Sequence, residues 1–173
     1  MNQEQRFWVG EHQNSKVTRE KLLEVARNHK MVDCRELNIG TNISLDAEIL
    51  ESVAASPYLQ GLTSMTFTEV VIPVQSITRL LELPHLDSLT FSGGCSMDYG
   101  GPTNIYPTLS DEHLQALLDS PQRDRLRRLD FADQGVSSDW LLQFRAALPG
   151  LVKLVARDTD GYGATKEGTL EPP

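Results

Sequence analysis

Five short stretches of this chain repeat one apolar pattern: Cys34-Arg-Glu-Leu37-Asn-Ile39, Leu62-Thr-Ser-Met65-Thr-Phe67, Leu86-Asp-Ser-Leu89-Thr-Phe91, Leu126-Arg-Arg-Leu129-Asp-Phe131 and Leu151-Val-Lys-Leu154-Val-Ala156. Each reads apolar-x-x-apolar-x-apolar. Their first residues stand 28, 24, 40 and 25 positions apart. Self-similarity at a period of this size marks an array of stacked units. One such unit cannot bury its own apolar face, so several must pack on one another. The 40-residue interval exceeds its neighbours by about 15 and marks an inserted segment at 93–109.

The stretches between the triplets also resemble one another. Each holds a helix-period segment followed by a proline shortly before the next triplet: Pro57, Pro84, Pro121 and Pro149. Proline cannot continue a helix and pushes the preceding residue out of the helical region. Start signals precede the helical segments. Ser44, Ser110 and Ser137 or Ser138 read as caps, with acids in the first turn that suit the helix dipole. Pro73 reads as a first-turn residue of the helix around Val74–Leu83.

The triplets and their spacing resemble those of leucine-rich repeat proteins, of the strand-plus-helix kind seen in ribonuclease-inhibitor-like proteins. The family motif is L-x-x-L-x-L-x-x-N/C-x-L. Cys34 to Asn42 follows it through the asparagine, whereas later units carry Val70, Gly94, Gln134 and Thr159 there. The Ser-Pro-x-Leu-x-x-Leu segments also resemble repeats of large bacterial families. The resemblance covers residues 34–159. It implies an α/β fold: a short leucine-rich-repeat solenoid with parallel β-strands on the concave face and helices on the convex face. Residues 1–33 are then an N-terminal capping strand and helix, with Phe7-Trp8-Val9 as a degenerate strand. Residues 34–160 form five repeats with the insert, and 161–173 form a C-terminal tail. No C-terminal cap is legible, so either Tyr162 and Leu170 fold back or that edge docks on something, a second copy included.

Composition narrows the functional classes. Apolar residues make up 39% and charged residues 23% of the 173 positions, which suits a packed core. No apolar run reaches the ~18 residues of a membrane span. The polar start does not read as a signal peptide. Two cysteines cannot build a disulfide scaffold. A cytoplasmic chain is expected. Net charge is −8, and residues 34–120 hold 2 basic and 11 acidic side chains. That acidic middle repels phosphate backbones and attracts basic partners. Neither nucleic acid nor membrane is expected as a partner.

In the resembled family the outward strand positions bind partners. Here the central column reads Asn38, Thr66, Thr90, Asp130 and Val155. It is flanked by Glu36, Ser64, Ser88, Arg128 and Lys153 on one side, and by Gly40, Thr68, Ser92, Ala132 and Arg157 on the other. The face turns from hydroxylic and acidic to basic along the array. Five strands ~4.8 Å apart span about 20 Å, so three rows give roughly 250–300 Å². A standard interface needs ~800 Å² per partner, so flanking loops must contribute. The insert, with Asp98, Tyr99, Asn104 and Tyr106, is the natural addition, because long loops in compact domains tend to carry function.

No catalytic constellation emerges. Cys34 holds an apolar strand position and reads as core. Cys95 is too distant for a disulfide with it. His12, His29, His85 and His113 do not pair at metal-ligand spacing. Gly93-Gly94 lacks the lysine of a phosphate loop, and Asp158-Thr-Asp160-Gly161 lacks the rest of a calcium loop. The run Arg123–Arg128 reads as a basic cluster able to touch an acidic partner. No metal, cofactor or catalytic residue is therefore expected. The reading is a non-enzymatic protein-interaction module, in its sharpest form an inhibitor or immunity-type protein for a basic enzyme. Its rivals are an enzyme or small-ligand site around Cys95, Asp98 and Tyr99, and an assembly subunit that docks through the open C-terminal edge.

Overall fold

The computed structural model describes residues 5–10, 15–96, 104–106, 108–159 and 165–169. Nine strands and five α-helices lie among them. They follow in the order β1 (Gln5–Val9), α1 (Ser15–Arg27), β2 (Cys34–Ser44), α2 (Ala47–Ala54), β3 (Ser64–Val71), α3 (Val74–Leu81), β4 (Ser88–Ser92), β5 (Gly94–Ser96), β6 (Asn104–Tyr106), α4 (Asp111–Asp119), β7 (Arg128–Ala132), α5 (Ser138–Ala147), β8 (Lys153–Thr159) and β9 (Thr165–Thr169). The fold is α/β, built on one open seven-stranded sheet with strand order β1-β2-β3-β4-β7-β8-β9. All its pairings are parallel except β8–β9, which is antiparallel.

The triplets set the register. Leu37, Met65, Leu89, Leu129 and Leu154 lie side by side across the sheet, as do Ile39, Phe67, Phe91, Phe131 and Ala156. Side chains alternate along a strand, so these two rows share one face. Both rows are buried in a single core together with Leu22, Leu50, Val53, Ile77, Leu80, Leu117 and Phe144 from the helices. Since all five helices contribute to this one core, they lie on that same side of the sheet. Within the core Phe67, Phe91, Phe131 and Phe144 form a continuous row of rings, with centroids 5.4, 6.2 and 5.6 Å apart. The row crosses from β4 to β7 without a break, so the extra residues between those strands leave the core intact.

The helix starts differ from the sequence reading at one point. Ser44 is the last residue of β2 and not a cap, because Ile43 and Ser44 still pair with Val70 and Val71. The cap of α2 is Asp46, whose carboxylate accepts from the Ile49 N–H at 3.0 Å. Ser110 precedes α4 and Ser137 caps α5, as the pattern implies. Pro73 sits at the N-cap of α3.

The asparagine match also shifts. The β2–β3 register slips between Gly40 and Ile43, so Val70 faces Ile43 and not Asn42. The extra residue in β2 takes Asn42 out of alignment with the later units. Glu69 and Asp133, both two positions past the last triplet residue, adopt left-handed backbone angles (φ 54° and 53°). Gln134, which follows Asp133, is 5% exposed. Its Oε1 accepts from the N–H groups of Thr108 and Leu109 at 2.9 and 3.0 Å, and its Nε2 donates to the Thr108 hydroxyl at 3.1 Å.

At the C-terminal edge, where the sequence left fold-back and docking open, the chain folds back. The chain returns after β8, and β9 pairs antiparallel with it, Thr169 beside Val155 and Thr165 beside Thr159. The edge of β8 is therefore occupied by the tail itself. At the other end, β1 pairs parallel with β2, with Trp8 beside Asn38 and Val9 beside Ile39.

Candidate functional site: the uncovered face of the sheet

The strand positions that point away from the core form a second face, over which no described helix packs. Its central column begins with Trp8, beside Asn38, and continues through Thr66, Thr90, Asp130 and Val155. The flanking column runs Arg6, Glu36, Ser64, Ser88, Arg128, Lys153. Thr68, Ser92, Ala132 and Arg157 lie in the third. Asn38 and the six hydroxyl residues Ser64, Thr66, Thr68, Ser88, Thr90 and Ser92 are half-buried. None of them bonds through its side chain to another described residue. A parallel sheet normally has both faces covered; here the β7–β8 end of this face is closed off, with Asp130 and Val155 1% and 4% exposed, and the half-buried polar groups on β2, β3 and β4 are the main feature of the site.

Charges on this face are largely matched within the chain. Glu36 meets Arg6 at 2.7 Å. Asp130 is only 1% exposed and its carboxylate lies 3.5 Å from Arg128. Burial withdraws Asp130 from the surface contact expected of it. Lys153 is exposed. Trp8 is the residue that sequence reasoning placed in a cap and not on the face. It is 48% exposed, and a Cβ on Gly40 would touch its ring, so the indole leans over that bare backbone. The pairing of Trp8 with Asn38 is the signal that puts it there, and it needs the register of a fifth-residue match that the degenerate first unit does not spell out.

The acidic excess lies elsewhere. Glu48, Glu51, Glu82, Asp111, Glu112 and Asp119 are exposed on helices or at helix ends. Arg19 and Arg79 bridge some of them, Arg19 to Glu48 at 3.6 Å and Arg79 to Glu82 at 3.1 Å, and Arg19 also meets Asp46 at 2.7 Å. The run Arg123–Arg128 is not a free basic cluster either. Arg123 donates to the Leu118 carbonyl, Arg125 to those of Leu81 and Pro84, and Arg127 to that of Gly150 at 2.9 Å. These guanidiniums cap helix ends and join neighbouring units. Arg35 does the same for Gly61 at 2.7 Å.

The insert starts and ends against β7 and the turn after it. Gly93 donates to the Ala132 carbonyl at 2.7 Å, and Gln134 holds Thr108 and Leu109. Between them β5 and β6 pair antiparallel, Cys95 opposite Ile105 and Tyr106 opposite Gly94, with Asn104 opposite Ser96. Asp98 and Tyr99 lie outside the described residues. A cleft of about 450 Å³ opens nearby, lined by Leu109, Ser110, Asp111, Gln134 and Trp140 among others. Trp140 Nε1 donates to Asp111 there at 2.8 Å.

Chemistry around the titratable groups is structural where it is described. Burial pushes the Cys34 thiol above its ordinary value of 9.0, and the thiol donates to the Glu36 carbonyl at 3.4 Å. His113 is buried, with Nδ1 accepting from the Ser110 N–H at 3.1 Å and Nε2 at 2.8 Å from the Ile72 carbonyl. Nδ1 accepts, so the proton of the neutral ring sits on Nε2 and is donated to Ile72. His29 and His85 are exposed and far apart in the chain. Among the described residues no three His, Cys, Asp or Glu side chains converge on a metal site, and no helix is long and apolar enough to cross a membrane. No family model matches the chain, and no curated protein is significantly similar to it.

Proposed function

We propose that the chain is a leucine-rich-repeat-type interaction module that binds a protein partner across the uncovered face of its sheet, with the 93–109 insert adding contact area. The observation that carries this is the set of seven half-buried, uncharged polar side chains, Asn38 to Ser92, that have no side-chain hydrogen bond among the described residues of a parallel sheet. Three features support the repeat reading: strand order that follows chain order up to β8, the triplets in one register, and the left-handed residue at the same place in two units. Trp8 at one end supplies the kind of aromatic anchor that concentrates binding energy. Because acids on the face are already ion-paired, the contact there is proposed to be mainly uncharged. The inhibitor reading, with its basic partner, has its attracting charge on the helix side.

The test uses two full-length variants with native melting curves. Thr66→Arg/Thr90→Arg loads the centre of the face, and Glu112→Arg alters the helix side. Partners captured from the native host are compared by quantitative mass spectrometry. Loss of a specific partner with the face variant alone supports the proposal. A partner kept by the face variant and lost with Glu112→Arg places binding on the helices and refutes it.

A further inference from the structure

The two outer strands of the sheet differ in kind. An unpaired strand edge offers a row of N–H and C=O groups to any other strand, and proteins usually blunt it with charge or irregularity. At one end β9 carries Lys166, Glu167 and Gly168 within five residues. At the other, β1 reads Gln5-Arg6-Phe7-Trp8-Val9. Phe7 is 38% and Trp8 48% exposed, one on each face of the sheet. This edge has aromatic surface and a single charge.

We infer that β1 is a homotypic docking edge, on which β1 of a second copy pairs antiparallel about a two-fold axis at Phe7. The occupant is argued from self-complementarity. In that register Phe7 faces Phe7 of the second copy, and Arg6 faces Trp8, once on each side of the axis. Directly opposed aromatic residues stabilise antiparallel pairs. Arg6 and Trp8 share the uncovered face, where a guanidinium beside an indole is attractive. A two-fold contact requires one patch to complement itself, and this five-residue strand does so. A strand pair of this length with two part-exposed rings covers on the order of 400 Å² per copy, half of a standard ~800 Å², so the dimer is weak. It joins the two sheets into one and brings both uncovered faces side by side. The inference does not depend on what those faces bind.

Sedimentation velocity over about a hundredfold concentration range, reaching millimolar protein, tests it. Wild type is expected to shift from monomer to dimer, and Phe7→Lys to stay monomeric with an unchanged circular dichroism spectrum. A second assay decides even if Phe7→Lys fails to fold. On a Cys95→Ser background, Phe7→Cys places thiols at the axis, where opposed Cα atoms are about 4.5–5.5 Å apart and within disulfide reach. Phe7→Cys is expected to cross-link under mild oxidation, and Lys166→Cys on β9 to remain single. A monomer at every concentration, or cross-linking through position 166 and not 7, overturns the inference.

Discussion

Replacing Gln134 with methionine keeps the volume of the side chain and removes its polar end. In the native chain one oxygen, Oε1, serves two backbone donors, the N–H groups of Thr108 and Leu109. Leu109 is buried, so its N–H would lose its one acceptor among the described residues without gaining water, at a cost of about 1–3 kcal/mol. Thr108 is half-buried, and water can replace much of its bond, leaving about 0–1 kcal/mol. The expected loss is therefore about 1–4 kcal/mol. Urea unfolding followed by circular dichroism measures it, and with a slope of about 2 kcal/mol/M the midpoint falls by about 0.5–2 M. Native-state hydrogen exchange adds position: the Leu109 amide should lose more than tenfold protection while Phe91 and Leu129 fall only with global stability. A change below about 0.5 kcal/mol, or a loss spread evenly over the chain, would show that Gln134 does not hold the end of the insert.

The remaining predictions concern the core, the glycines and the thiol. Phe91→Ala removes the ring between Phe67 and Phe131 and should cost about 3–5 kcal/mol in chemical denaturation, more than Leu142→Ala on the exposed side of α5. Gly10→Ala should release β1 and its protection from exchange, since φ is +132° and a Cβ would land on the Gly40 carbonyl. Gly61→Ala displaces the flexible end of the Arg35 side chain and crowds the Val32 carbonyl at 3.3 Å, so it should cost about 1 kcal/mol, far less than Gly10→Ala. The Cys34 thiol should resist alkylation in the native state until the chain opens. Its folded value lies above the unfolded one, so the neutral thiol's contribution is complete below pH 9.0 and is lost as pH rises through the folded value. A Cys34→Ala variant should show less alkaline loss in a pH series of melting curves.

The parallel sheet was legible because its code is short-range. Two buried rows at alternate positions, a proline, and a cap recur in each unit, and each is a local consequence of strand or helix geometry. What stayed hidden depends on residues far apart in sequence. Trp8 joins the face only through its pairing with Asn38, and nothing in Phe7-Trp8-Val9 alone announces that register. Gln134 looked like a lapse from the asparagine of the resembled motif, whereas its longer side chain spans to Thr108, 26 residues earlier. The arginines around Arg125 read as free charge because their acceptors are carbonyls of neighbouring units, which no spacing rule reveals. The polar Thr165–Thr169 carries no apolar alternation, so the sequence left fold-back and docking as equal alternatives and did not announce a strand there.

The unbroken ring row from Phe67 to Phe144 has a practical consequence. The frame already accommodates extra chain between β4 and α4, since the two strands flanking it still pair residue for residue, from Ser88 beside Arg128 to Ser92 beside Ala132. That junction is where the molecule can change length and chemistry across generations without renegotiating its interior, which makes residues 97–103 the place to splice a tag, a fluorophore or a different binding loop.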